Sequence, residues 1–277
     1  MQTAKGNDEQ ATMWNGSSGE GWVAAQAVLD RMFAPFETML AAPVGPGMRV
    51  LDVGCGTGAV TLAAARKAGA AGQCLGVDIS EPMIALARCR AAQEGLGAEF
   101  TVADAQVAAF APAQFDLLVS RFGVMFFADP VAAFANLRAA ARPDAGLRMI
   151  AWRAPEENSF MTAVEREVAP LLPELPPRPA GAAGQFGFAD SARVRRLLEE
   201  AGWRDVAIGK LDQVCAIPAA DLETYIERVG PVSRFLREAD AQKRAQLVAA
   251  SRKAFAPYRQ DEEIRFNAGC WMIEARA

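Results

Sequence analysis

The segment Val50-Leu-Asp-Val-Gly-Cys-Gly-Thr-Gly58 decides the fold of this 277-residue chain. Its first four residues are typical of a buried strand that carries an acidic residue, Asp52, and runs into a glycine-rich turn. Glycines allow a ligand to approach the backbone closely, and a helix beginning near Ala59 leaves unpaired N–H groups behind the turn. Because a carboxylate suits a positive amino group, the segment predicts a site for a nucleoside with an amino-acid tail.

Strands and helices alternate on both sides of this segment. We predict strands at 49–53, 74–78, 98–102, 115–120 and 146–152, and helices at 58–68, 81–94 and 130–141. Such alternation implies right-handed crossovers and a mostly parallel sheet covered on both faces. The expected fold class is therefore α/β: a Rossmann-like doubly wound sheet of about seven strands, mostly parallel with an antiparallel last strand, plus helical lid insertions.

Composition shifts divide the chain into four expected regions. They are an N-terminal cap segment (1–45), a cofactor-binding core (46–152), a lid insertion (153–189), and a C-terminal part of the sheet (190–277) with a helical insertion at 219–256. The lid is rich in proline and glycine, and it is longer than a simple crossover requires.

The N-terminal cap and the C-terminal part carry further local predictions. The first 20 residues look mobile, and apolar residues at a 3.6 period predict one helix from Trp22 to about Leu40. Ser80 is the expected N-cap of the helix at 81–94. The last strand is expected from Glu263 to Ala275.

Composition excludes several classes of function. A net charge of −4 and a pI of about 5.2 argue against a nucleic-acid partner, which needs a basic surface. The chain has no histidine, so a Ser-His-Asp triad and a His-ligated metal are excluded, and we expect no metal site. No signal peptide or membrane span is apparent, and five scattered cysteines without a Cys-x-x-Cys pair indicate reduced thiols and a cytoplasmic location.

The glycine turn is open to a second interpretation. Residues 54–59 also satisfy Gly-x-Gly-x-x-Ala, the permissive dinucleotide fingerprint, and Asp78 follows Gly54 by 24 residues. An NAD-dependent oxidoreductase is therefore an alternative. Asp52 before the turn, the additional Gly58, and Asp104 after the third strand favour the nucleoside with an amino-acid tail, because Asp104 is placed to accept from an adenine amino group.

Four motifs in order carry a resemblance to a known family. They are VLDVGCGTG at 50–58, GVDIS at 76–80, VADAQ at 102–106 and FDLLVSRFGVMFFADP at 115–130. This set resembles the class I S-adenosylmethionine-dependent methyltransferases, and it is most similar to the branch of ubiquinone and menaquinone biosynthesis methyltransferases. The resemblance covers about 45–210 and implies S-adenosylmethionine as cofactor and a small, apolar or aromatic methyl acceptor. A cofactor-binding protein without transfer activity is a further alternative.

The resemblance also implies roles for individual residues. The implied cofactor-binding residues are Trp14, Asn15, Trp22, Asp52, Gly54, Gly56, Asp78, Ile79, Met83, Asp104, Ala105 and Ser120. In this scheme Asp52 faces the methionine amino group, and Asp78 holds the ribose hydroxyls. Asp104 and Ala105 read the edge of adenine.

The same motifs suggest two residues for the methyl-transfer zone. Arg121 and Phe122 follow the fourth strand and are implied to face the methyl group or the acceptor. A cation there would attract a carboxylate or phenolate on the acceptor. The methylated atom, the identity of the acceptor and the oligomeric state are left open.

Overall fold

The computed structural model describes residues 3–4, 7–173, 183–230 and 232–277. Within these residues the strands of one sheet are β1 (Arg49–Val53), β2 (Gln73–Asp78), β3 (Ala98–Val102), β4 (Phe115–Arg121), β5 (Ala141–Trp152), β6 (Arg204–Pro218), β7 (Arg259–Gln260) and β8 (Glu263–Arg276). Their order is β3-β2-β1-β4-β5-β8-β6, and the short β7 pairs with β8. The first five strands run parallel, and β8 is antiparallel to both β5 and β6. The expected Rossmann-like sheet with an antiparallel last strand is confirmed.

Helices surround this sheet. They are α1 (Asp8–Asn15), α2 (Ser17–Ala24), α3 (Gln26–Ala41), α4 (Ala59–Ala68), α5 (Glu81–Glu94), α6 (Pro130–Ala140), α7 (Ser159–Val168), α8 (Ser191–Glu200), α9 (Leu222–Arg228), α10 (Ser233–Glu238) and α11 (Ala241–Phe255). In the part of the chain that the structure describes, no helix combines the length and the apolar character that crossing a bilayer requires.

Parallel pairing brings the carboxyl ends of three central strands to one edge of the sheet. β1 lies between β2 and β4, with Val53 opposite Val77 and Asp52 opposite Val119. β1 and β4 are buried along nearly their whole length, which explains why their sequences are near-continuous apolar runs. Open α/β sheets bind ligands at this edge, so the topology fixes where a site can form.

The first helices of the chain differ from the prediction. Residues 8–20 are not irregular: they form α1 and the start of α2, so the expectation of a mobile segment is wrong there. The helix predicted from Trp22 to Leu40 is interrupted at Ala25, where α2 ends and α3 begins. The break lets α2 run against α9, where a β-carbon on Gly21 would lie 2.2 Å from the carbonyl oxygen of Arg228.

Hydrogen bonds to the loop after β2 hold α1 in place. The hydroxyl of Ser80 donates to the carbonyl oxygen of Trp14 at 2.6 Å. The side chain of Asn15 accepts from the Glu81 N–H and donates to the Ile79 carbonyl, both at 2.9 Å. Ser80 does occupy the N-cap position of α5, but its side chain makes no capping bond, and Asn15 supplies that bond instead.

Two other predicted segments are the fifth strand and the lid at 153–189. β5 begins at Ala141 rather than near Gly146, because a register shift against β4 accommodates the extra residues, with Asp144 at a φ of +63°. Of the predicted lid at 153–189, the structure shows α7 and the turn Pro155–Glu157. Residues 174–182, which contain most of its proline-rich sequence, lie outside the described residues.

Candidate active site

A cavity of about 370 Å³ lies at the carboxyl ends of β1, β2 and β4. Its sheet side is formed by the glycine turn and by residues that follow these strands, including Asp78 and Arg121. Its cover is formed by α1, α2 and α3, by α7, and by the helices between β6 and β7. The volume falls within the usual range for small-molecule sites, about 300–1,000 Å³.

Hydrogen bonds fold the glycine turn over the end of β2. The backbone N–H groups of Gly54 and Cys55 donate to the carbonyl of Val77 at 2.9 and 3.0 Å. The N–H of Gly56 donates to a carboxylate oxygen of Asp78 at 2.8 Å. Gly56 has a φ of +54°, and the nearest atom to a β-carbon built on it would be the sulfur of Met83 at 3.7 Å. The turn therefore leaves space beside Gly56, on the wall of the cavity.

Asp78 stands at the end of β2 with part of its hydrogen-bonding capacity unused. One carboxylate oxygen accepts from Gly56, and the other accepts from the Ser80 N–H at 2.9 Å. Burial raises the pKa of Asp78 above its ordinary value, and hydrogen bonds from backbone N–H groups oppose that rise. Asp78, Ile79 and Met83 all line the cavity. Their roles toward ribose and adenine stay a prediction.

Asp104 is bound by the N-terminal segment. One carboxylate oxygen accepts from the Ala4 N–H and from the side-chain amide of Asn7, both at 2.8 Å. The other accepts from the backbone N–H of Gln106 at 3.0 Å and from its side-chain amide at 3.1 Å. Asn7, Asp104 and Ala105 line the cavity. Sequence reasoning missed Asn7, because nothing in the sequence brings it to Asp104.

A small polar compartment of about 30 Å³ adjoins the glycine turn. Asp30, Asp52 and Arg121 line it, together with Trp22. The compartment holds three buried atoms without a hydrogen-bond partner among the described residues: one oxygen each of Asp30 and Asp52, and Nη1 of Arg121. Leaving such atoms unpaired is costly, so ligand groups that offer a donor to the carboxylates and an acceptor to Arg121 would suit the compartment.

The surroundings shift the pKa values of the charged groups in this compartment. Burial raises the pKa of Asp52 to about 6, against the lowering effect of a 2.7 Å hydrogen bond from Thr61. Burial lowers the pKa of the Arg121 guanidinium, and the negative charges of Asp30 and Asp52 oppose that change. The two acidic groups Asp30 and Asp52 in one small space fit the ammonium of an amino-acid tail. The residues present therefore suit the cofactor that the resemblance implies.

Aromatic rings form another part of the wall of the main cavity. Phe122 and Trp152 stack with ring centroids 4.1 Å apart, and Phe33 meets Phe122 edge to face at 5.4 Å. The guanidinium of Arg121 lies over the ring of Phe33, 5.4 Å from its centroid. Phe122 has a φ of +66°, which is rare for a bulky residue and is often found at functional sites.

Two tryptophans from the N-terminal helices complete the wall. Trp14 meets Trp22 edge to face at 5.8 Å and Phe126 at 5.4 Å. Both tryptophans line the main cavity, and Trp22 also lines the small polar compartment. The structure therefore brings together residues that lie more than 100 positions apart in the sequence.

Two predicted cofactor residues do not line either cavity. Asn15 is exposed, and its side chain joins α1 to α5. Ser120 is buried, and its hydroxyl donates to the carbonyl of Val53 at 2.7 Å and accepts from the Gly123 N–H at 3.3 Å. Both side chains hold the surroundings of the site in place. Among the described residues no cluster of three or more potential metal ligands occurs.

Comparisons with known proteins identify the family. Residues 50–144 match the family described as "Methyltransferase domain". Nocamycin O-methyltransferase from Saccharothrix syringae is 30% identical over 208 residues, which cover 68% of this chain and 74% of that enzyme. Ubiquinone/menaquinone biosynthesis C-methyltransferase from Cupriavidus taiwanensis is 31% identical over 181 residues, 61% of this chain and 72% of that protein.

Other relatives match a shorter region. An uncharacterized Mycobacterium tuberculosis protein is 36% identical over 151 residues, which cover 53% of this chain and 54% of the relative. The match thus spans about half the length of the mycobacterial proteins of this group.

Solved structures share the fold. The YcgJ protein of Bacillus subtilis has a TM-score of 0.55 at 17% identity, covering 88% of this chain and 97% of that one. The [4+2]-cyclase SpnF has the same TM-score at 17% identity, covering 93% and 94%. Such similarity shows the architecture alone, and the fold hosts more than one type of reaction. The sequence matches, in contrast, extend over two thirds or more of two named methyltransferases, and the motifs that carry them line the cavity. The chain belongs to the class I S-adenosylmethionine-dependent methyltransferases.

Proposed function

We propose that the protein transfers a methyl group from S-adenosylmethionine to a small aromatic acceptor that carries a negative charge. One observation carries the proposal: the same cavity is bordered by the glycine turn and Asp78 and also by the aromatic rings beside Arg121. A nucleoside cofactor and an aromatic acceptor can therefore share one enclosed space.

The residues around the glycine turn and after β2 supply groups suited to the cofactor. Asp78 would accept from the ribose hydroxyls, since its carboxylate has remaining lone pairs. Asp52 would accept from the amino group of the methionine end, where it has an unpaired oxygen. Ile79 and Met83 would contact the adenine ring. When bound, S-adenosylmethionine supplies a methyl group that is already activated by its positive sulfur.

Arg121 and the aromatic rings beside it supply groups suited to the acceptor. Among the described residues that line the cavity, Arg121 and Arg228 are the basic ones. Arg121 has no hydrogen-bond partner among the described residues for its buried Nη1, so a carboxylate or phenolate would satisfy it. Phe122 and Trp152 would stack on a ring and keep water out, which strengthens electrostatic interactions inside the site.

The chain does not need a histidine for this reaction. Transfer from a sulfonium depends mainly on holding the nucleophile in line and close to the methyl group in a dry site. An acceptor that is already ionised beside Arg121 needs no general base. Relatives named as an O-methyltransferase and a C-methyltransferase differ in the methylated atom, so the proposal does not extend to that atom.

The proposal includes a cytoplasmic location and no nucleic-acid partner. All five cysteines are free, which suits a reducing compartment. The net charge of −4 would disfavour binding to a polyanion.

Two measurements test the proposed function. Calorimetric titration should detect binding of S-adenosylmethionine and no comparable binding of NADH. Incubation with a panel of aromatic carboxylates and phenols, each paired with its neutral methylated derivative, should release S-adenosylhomocysteine and add 14 Da to an acidic acceptor. Failure to bind S-adenosylmethionine would overturn the proposal. Binding without turnover across the whole panel would favour a cofactor-binding protein instead.

A further inference from the structure

Asp104 has no free hydrogen-bonding capacity in the structure. Its two oxygens accept five hydrogen-bond contacts, one from Ala4, one from Asn7 and three from Gln106, at 2.8–3.4 Å. An ionised carboxylate offers about four lone-pair sites and cannot donate. The residue predicted to read the adenine edge is therefore already saturated by other parts of the chain.

Asn7, in contrast, has free hydrogen-bonding capacity in its side chain. Its side chain is 4% exposed and lines the cavity, and its amide nitrogen donates to Asp104 at 2.8 Å. Because a carboxylate only accepts, the NH₂ group must be the one that faces Asp104, which fixes the orientation of the amide. The remaining oxygen of Asn7 is buried and has no hydrogen-bond partner among the described residues.

An unpaired buried carbonyl is a costly feature that a ligand donor would relieve. Asn7 contacts Asp104, the neighbour of Ala105, and it lines the same cavity as Ile79 and Met83, which belong to the predicted adenine subsite. The exocyclic amino group of adenine is a donor of the required kind. The N-terminal segment therefore brings an acceptor to the place where the sequence motif suggested a carboxylate.

We propose that the side-chain oxygen of Asn7 accepts the hydrogen bond from the adenine amino group, and that Asp104 is a positioning residue that holds the Asn7 amide. This inference rests on the proposed function, because it requires S-adenosylmethionine as the cofactor. It assigns the base-reading residue to the segment before α1 rather than to the loop after β3. Docking of that segment and recognition of adenine are then the same event.

The assignment makes a specific statement about the base. Hypoxanthine carries a carbonyl oxygen in place of the amino group. This oxygen and the side-chain oxygen of Asn7 are both acceptors, so no hydrogen bond can form between them. A site built around a hydrogen bond discriminates strongly against an analogue that cannot make it. We expect wild-type protein to bind S-adenosylhomocysteine at least about tenfold more tightly than S-inosylhomocysteine.

The test is calorimetric titration of the full chain with these two compounds. In Asn7→Leu the affinity ratio should fall to about one, because the leucine removes the acceptor while filling similar space. In Asp104→Asn the ratio should fall as well, since the variant no longer fixes the Asn7 amide. The matched control is Asn15→Ala, at the end of α1. Asn15 helps to hold α1 in place but does not line the cavity, so this variant should bind both ligands more weakly and preserve the affinity ratio.

The outcomes separate the two proposals. Wild-type protein that binds neither compound would overturn the proposed function and this inference with it. Wild-type protein that binds both compounds equally would overturn the inference alone, and that result needs no variant. A ratio that survives in Asn7→Leu but is lost in Asp104→Asn would also overturn it, because Asp104 would then read the base directly.

Discussion

Gly54 and Gly123 pack backbone against backbone, so closely that a β-carbon on Gly54 would lie 2.6 Å from the α-carbon of Gly123. The reverse holds too, since a β-carbon on Gly123 would lie 2.7 Å from the α-carbon of Gly54 and from the carbonyl oxygen of Val53. This contact joins the glycine turn after β1 to the segment after β4. The glycine turn, proposed to bind the cofactor, and the segment after β4, proposed to bind the acceptor, are therefore held at a fixed distance.

The first prediction concerns this contact. Gly123→Ala should lower the free energy of unfolding by about 1–3 kcal/mol, because the methyl group meets backbone atoms that cannot move aside cheaply. It should also weaken S-adenosylmethionine binding, since the turn must shift. Chemical denaturation and calorimetry would measure the two effects. Unchanged stability and affinity would show that the contact is looser than described.

The second prediction separates ligand space from folding. Gly56→Val should leave a folded protein, because only the sulfur of Met83 lies within 4 Å of a new β-carbon. The φ of +54° adds a cost of about 1–2 kcal/mol to the free energy of folding, which chemical denaturation would measure. Binding of S-adenosylmethionine should be lost, since the side chain enters the cavity. Wild-type affinity in this variant would contradict the placement of the cofactor beside Gly56.

The third prediction concerns Asp52 and pH. Its pKa of about 6 in the folded state exceeds the ordinary value of 3.8, so the folded protein binds more protons than the unfolded chain between these two values. The contribution of Asp52 to the free energy of unfolding is therefore fully present below about pH 4, and it is lost as the pH rises through about 6. Asp52→Asn should remove that loss and stabilise the ligand-free protein at pH 7.5 by up to about 3 kcal/mol.

The same variant should bind S-adenosylmethionine more weakly than wild type, because it lacks the negative charge opposite the amino group. Denaturation at pH 4, 6 and 7.5 would provide the stability difference between variant and wild type. A difference that stays constant across this range would mean that Asp52 does not titrate as described. The combination of higher stability with lower affinity is the expected signature of a buried charge kept for binding.

The sequence was sufficient for the sheet and for the residues after its strands. The motifs at β1, β2, β3 and β4 are local, each being a strand followed by its own turn, so their positions follow from topology. Gly54, Asp78 and Asp104 accordingly line one cavity, and their role in cofactor binding stays a prediction. The mostly parallel sheet and its antiparallel β8 agree with the prediction.

The sequence was insufficient where contacts join distant parts of the chain. Asn15 suggested a ligand contact, but its side chain caps α5 across 66 positions. Asn7 had no recognisable pattern, although it lies against Asp104 across 97 positions. Asp30 likewise reaches the small polar compartment from α3. Such pairings depend on how the N-terminal helices dock, and no local spacing encodes that.

The last prediction concerns Arg121, which lines both the main cavity and the small polar compartment. If it holds the acceptor, Arg121→Met should lower kcat/KM for an anionic acceptor by about 10–100-fold, the value of a hydrogen bond to a charged group. Calorimetry should show that the affinity for the neutral methylated derivative of that acceptor changes less than about threefold, and that the affinity for S-adenosylmethionine remains near wild type. Arg121→Lys should give an intermediate effect, because it keeps the charge but loses the planar two-pronged geometry.

Arg228 provides the matched control for Arg121. It is also basic and lines the same cavity, but its side chain is exposed on α9. Arg228→Met should therefore have a smaller effect that disappears at high salt, because exposed charges are screened. If Arg121→Met instead weakens S-adenosylmethionine as strongly as the acceptor, then the guanidinium binds the carboxylate of the methionine end. In that case the negative charge assigned to the acceptor loses its support, while the aromatic wall of Phe122 and Trp152 would still select a ring.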